Sequence, residues 1–160
     1  MSQQQNIQKS EYWLRLCLAL QHTIKGLLID ILHNTHKDTS YQGLPTDPQQ
    51  LFNHLISLKN NGAIPNRVLF NDQWNIILPT CGTSNPQDFD ITILCVLIRN
   101  CLSISPKDGW NKPPLVTDQS KAAYCMLARN ACNKILHHGN VMLTENEFNI
   151  LFFELQNIAF

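Results

Sequence analysis

No pair of cysteines in this 160-residue chain stands at Cys-x-x-Cys spacing. That argues against a zinc ribbon or a thioredoxin-like site, both of which need two sulfurs delivered by one tight turn. There is no Walker motif and no Gly-x-Gly-x-x-Gly, so a phosphate-cradling glycine loop has no support. Net charge is absent too, since 12 basic residues balance 12 acidic ones and the basic ones are scattered. A chain that lives on nucleic-acid backbone usually carries a basic stripe, because each neutralised phosphate needs a cation. No stretch approaches 18 uninterrupted apolar residues, and the polar start MSQQQNIQKSE is unlike a signal peptide, so neither a membrane span nor secretion is expected. The chain also lacks an Asn-x-Ser/Thr sequon. These absences together point to a cytoplasmic protein.

What is present is apolar and helical. Apolar residues make up 44% of the chain, enough for one domain with a real core. Of the six cysteines, Cys17, Cys95, Cys101, Cys125 and Cys132 lie within apolar helical patterns and read as reduced, buried thiols, with Cys81 in a loop. Residues 1–10 read as a flexible tail ahead of a single domain over 11–160. Tyr12, Leu16, Leu20, Ile24, Leu28 and Ile31 recur at helical spacing and predict a long helix from Ile7 to His33, with Gly26 as a close packing point or bend. Asp47-Pro48 starts a second helix that Gly62 ends. NDQWNIIL is a short third. Asp88 is the expected cap of a central helix, apolar on most sides from Phe89 to Ile98. Trp110, in the rigid loop SPKDGWNKPPLVTD, is expected to plug the core. Thr117 or Asp118 caps a helix running toward Asn140, and Thr144 with Glu147 forms a capping box for the last one. The fold class is therefore all-α, a single up-and-down bundle of about five to six helices.

The chemistry-bearing residues are few. His33 and His36 sit near a helix end with no third ligand in pattern, so no metal site and no cofactor are assigned. His137 and His138 end the helix that carries Arg129, Cys132, Asn133 and Lys134, just before Gly139. A histidine there is either a cap or an acid/base group able to move protons near neutrality. A nucleophilic cysteine needs an exposed, electropositive niche, which Cys132 inside an apolar pattern does not suggest.

Several stretches in order resemble one family: Asn71-Asp72-Gln73-Trp74, Asp88-Phe89-Asp90, Leu97-Ile98-Arg99-Asn100, Gly109-Trp110, Pro113-Pro114, then Asp118 and Ser120. The family is the HEPN domain of the subtype named after the DAZ-interacting zinc-finger ubiquitin ligase. The resemblance implies an all-α bundle. Active members of the superfamily are metal-independent RNA-cutting enzymes with an Arg-x4-6-His motif, and they commonly dimerise into a composite site. In them the arginine stabilises the phosphate, and the histidine serves the proton transfers of attack by a ribose 2′-hydroxyl. Aligned without gaps from Asp118, the family's asparagine falls on Asn133, its histidine on His138 and its arginine on Cys132. A thiol cannot replace a guanidinium at a dianionic transition state.

The expectation that follows is a HEPN interaction or scaffolding module, a homodimer through the motif helix, with a degenerate ribonuclease motif. The subtype's members commonly belong to signalling or innate-immunity-like proteins. Two alternatives remain open. One is a ribonuclease using His138, with Asn133 positioning and Arg129 standing in for the missing arginine. The other is RNA binding without cleavage, through Arg129, Lys134, His137 and His138.

Overall fold

A computed structural model describes residues 3–138 and 142–159. Among them are six α-helices and no strand: α1 (Gln3–His33), α2 (Pro48–Asn60), α3 (Asn71–Ile77), α4 (Ile91–Cys101), α5 (Lys121–Leu136) and α6 (Glu145–Ala159). Gly139 and Asn140, the expected end of the motif segment, lie outside the described residues.

Helix α1 begins at Gln3, ahead of the expected Ile7, so residues 3–10 are helical. By length and composition alone it is apolar enough to cross a membrane, with a mean hydropathy of 1.2 in its most apolar window. Its inward stripe is Leu16, Leu20, Ile24, Leu28 and Leu32, all buried against the rest of the bundle. These residues repeat strictly every fourth position, and such a repeat drifts about 40° per step around an ideal helix of 3.6 residues per turn. The turn Leu20–Ile24 is a π-helix, wider than its neighbours, and it takes back part of that drift. The irregularity expected at Gly26 therefore lies just before it, and no atom crowds Gly26 itself. The glycine that packing requires is Gly43, where a Cβ would overlap the backbone of His33 and Asn34.

The caps explain where the other helices begin. Asp47 accepts the Gln50 N–H at 2.8 Å, and Gly62 follows α2 with φ 74°, as the sequence suggests. The central helix α4 is capped by Asp90, whose carboxylate accepts the Ile93 N–H at 2.7 Å. Asp88 is not that cap because it lies in the 3-10 turn Pro86–Asp88, which has Asn85 as its own cap. Helix α5 is capped by Ser120 rather than Thr117 or Asp118. Asp118 is buried and braces the loop instead, accepting the N–H groups of Lys107 (2.8 Å) and Ser120 (2.9 Å), which hold its carboxyl below the usual range. Thr144 and Glu147 do form the expected capping box of α6: the Glu147 carboxylate accepts the Thr144 N–H at 2.8 Å, and the Thr144 hydroxyl accepts the Glu147 N–H at 3.3 Å.

Helix α4 is the centre, with Ile93, Leu94, Leu97 and Ile98 fully buried. At about 1.5–3 kcal/mol for each fully buried side chain of this kind, it anchors the bundle. It packs against the C-terminal part of α1 and against α5; α5 packs on α6, and α6 closes the ring on α1. Trp110 rests against the core but stays partly exposed, so it walls the core rather than plugging it.

Candidate functional site

Helix α5 has α4 on one side and α6 on another, and its residues face different neighbours in turn. Arg129 and Asn133, four positions apart, fall on one face. They line a groove of about 280 Å³ together with Asn130 of α5, Cys95 and Arg99 of α4, and Trp110 of the connecting loop. Arg99 is held in place: its Nη2 donates to Asn111 Oδ1 at 3.0 Å, and its guanidinium lies 5.9 Å from the Trp110 ring centroid. The Arg129 side chain has no hydrogen bond or ion pair among the described residues. No carboxylate lines this groove.

Cys132, three positions beyond Arg129, faces a second groove, of about 290 Å³. Its other walls include Cys17 and Leu20 of α1, Asp90 and Ile91 at the start of α4, and Leu136. Cys132 is only 5% exposed, and burial pushes its thiol up to about 11. It is protonated at neutral pH, with little nucleophilic or metal-binding character. Cys95 is likewise held far up, by its contact with Cys125 and by burial, its thiol donating to the Cys125 carbonyl at 3.6 Å.

The other sequence candidates lie elsewhere. Lys134 turns to α6 and donates to both Glu154 oxygens, at 2.9 and 3.0 Å. His137 is exposed at the end of α5, its backbone N–H donating to the Asn133 carbonyl at 2.9 Å. His138 Nε2 sits 3.8 Å from Glu147 Oε1, beside the start of α6. Glu147 is held below the usual carboxylate range mainly by the Thr144 N–H and hydroxyl, with a smaller push from His138. Arg129 and Asn133 are therefore together, while Lys134 and His138 stand on the α6 side, each beside a glutamate. His33, the first of the other histidine pair, has Nδ1 3.0 Å from the Leu44 carbonyl, a structural contact. Among the described residues no three His, Cys, Asp or Glu side chains gather as a metal site.

Sequence reasoning missed Arg99, Trp110 and Asn130 as groove residues. Arg99 did carry a signal, being the lone charge in an apolar helix. Its partner Arg129 is thirty positions away, and only packing brings them to one groove.

An all-helical bundle centred on an apolar α4, with the candidate motif on the helix packed against it, is the architecture of a HEPN domain. Residues 46–159 match the family described as DZIP3/hRUL138-like HEPN, and the chain belongs to that family. The match leaves out the whole of α1, which nonetheless supplies one wall of the bundle. Comparison with curated proteins and with solved structures gave no match.

Proposed function

We propose that this chain is a HEPN module that binds rather than cleaves, and that it self-associates through α5. The observation that carries the first part is the pair Cys132 and Arg129. The residue at the family's arginine position is a buried thiol, a group that is neutral or anionic and never offers positive charge. The nearest guanidinium on the helix, Arg129, opens onto the α4 side, while His138 stands beside Glu147 on the α6 side. Phosphoryl chemistry by this route needs cation and proton-transfer group on the same phosphate.

The second groove supports self-association. Its walls are largely apolar, and Leu136 on its rim is 60% exposed. A twofold pairing would let each Leu136 enter the partner's groove, since an isologous interface places the same patch on both sides. Leu14 and Leu18, exposed on α1, extend the apolar surface available. Six free thiols, three of them buried in helices, suit the reducing cytoplasm.

The test is incubation of the purified chain with labelled single-stranded RNA in EDTA, alongside His138→Ala. No cleavage above the variant's background is expected. Cleavage lost in His138→Ala would overturn the reading and bring back the ribonuclease alternative, with a composite site across two copies. Light scattering on wild type and Leu136→Glu tests the other half: a dimer that the variant dissociates is expected, and a monomeric wild type sinks it.

A further inference from the structure

The groove between α4, the Trp110 loop and α5 brings two arginines into one space. Elsewhere four cations have a polar partner: Arg15 pairs with Glu11, Lys121 with Asp38, Lys134 with Glu154, and Lys25 donates to the Gln87 carbonyl. Arg99 and Arg129 line one cavity with no carboxylate among its walls. Two guanidinium groups facing one small space repel each other, and an anion between them relieves that repulsion. Arg99 is already oriented by Asn111 and by the face of Trp110, so little rotamer freedom is lost when it binds. The side-chain amides of Asn130 and Asn133 add uncharged donors to the same walls.

We propose that this groove binds a terminal phosphate monoester, with Arg99 and Arg129 as its two cationic contacts. A phosphate monoester carries about −1.5 to −2 charge near pH 7, which two guanidiniums match, while a backbone phosphodiester carries only one. The planar guanidinium fork pairs phosphate oxygens two at a time, and the amides can serve the remaining oxygen. The cavity of about 280 Å³ is larger than a phosphate alone. It sits just under the roughly 300–1,000 Å³ of most small-molecule pockets, so the phosphate arrives on one nucleoside or one amino-acid side chain. The groove uses neither His138 nor Leu136, so the proposal stands apart from the cleavage and self-association readings.

The experiment is calorimetric titration of the whole chain at low ionic strength with inorganic phosphate, adenosine 5′-monophosphate, and a phosphoserine peptide with its unphosphorylated twin. A single-stranded RNA with hydroxyls at both ends serves as the diester probe. Saturable binding of at least one monoester is expected, strengthening as pH rises through the phosphate's second pKa of about 6. Arg99→Ala and Arg129→Ala should each weaken it about tenfold or more. Arg67→Ala, another exposed arginine far along the chain, should leave it unchanged, with circular dichroism confirming that every variant folds. Whichever monoester binds more tightly identifies the carrier. Three results would overturn the proposal: no monoester binds at about 10 mM, equal loss in all three arginine variants, or tight binding of the hydroxyl-ended RNA with none of the monoesters.

Discussion

Two grooves open beside α5, nearly equal in size and opposite in chemistry. One presents Arg99, Arg129 and two amides to solvent; the other hides Cys132 among apolar walls. Arg129 and Cys132 stand three positions apart, about 60° around the helix axis at 100° per residue. That small rotation separates a solvated cation from a protonated thiol. Residues one turn apart on a helix can therefore belong to unrelated surfaces. Arg129 is close to Cys132 in sequence, yet it serves a different surface.

Both grooves share α4 as a wall, so removing α4 packing should damage them together. Leu97→Ala, at a fully buried position, should cost about 2–5 kcal/mol in urea unfolding. A loss below 1 kcal/mol, roughly the scale of a surface change, would mean that α4 is not the centre of the bundle.

The contrast between the two α5 positions is sharpened by giving each the same substitution. Cys132→Asp should destabilise by roughly 2 kcal/mol or more, because it places a charge where 5% of the residue meets water. Arg129→Asp should stay within about 0.5 kcal/mol, as at an ordinary surface site. Equal costs would erase the distinction. A thiol reagent at pH 7 gives the same comparison without mutation. Cys81, exposed and with its thiol lowered by the Thr83 hydroxyl and carbonyl, should react first. Cys132 (about 11) and Cys101 (about 12) should remain protonated and react only on unfolding. Fast labelling of Cys132 in the folded chain would contradict its burial.

A smaller effect comes from the carboxylates that organise the approach to α5 and α6. Asp118 and Glu147 are both held below their usual range in the folded chain. A depressed carboxylate stabilises the fold at pH above its unfolded value, about 4, and that contribution fades as pH falls through the lower folded value. Acid unfolding of Asp118→Asn should therefore show a shallower loss of stability below about pH 4 than wild type. An identical acid profile would show that the Lys107 and Ser120 contacts do not favour the charged form.

The smallest change is expected at the α6 side of the motif. His138→Ala removes a partly exposed approach to Glu147 at 3.8 Å, and Lys134→Ala a surface pair with Glu154, so each should cost less than about 1 kcal/mol. A larger loss at His138 would make it a structural histidine.

The helices were readable because their signals are local. Apolar residues four apart, Asp47-Pro48 before α2, Gly62 after it and the Thr144–Glu147 box each act within a turn or two, so the sequence carries them directly. The caps that were misassigned show where local reading stops. Asp88 and Asp118 both look like caps, but one is taken into a 3-10 turn and the other is drawn inward by the Lys107 amide eleven positions away. Half of the candidate site was legible in the same way: Arg129 and Asn133 share a helix face by spacing alone. Lys134 and His138 carried no mark of where they would turn, because Glu154 and Glu147 sit on another helix.

By itself the sequence determined an all-α bundle of the HEPN family and a cysteine, not a cation, at position 132, since helix periodicity and residue identity need no tertiary partner. Tertiary structure alone decided that Cys132 faces inward, that Arg129 is joined by Arg99 and Trp110, and that His138 stands apart from both. Those placements depend on how α4, α5 and α6 rotate to bury the most apolar surface, a property of the packed bundle rather than of any one segment.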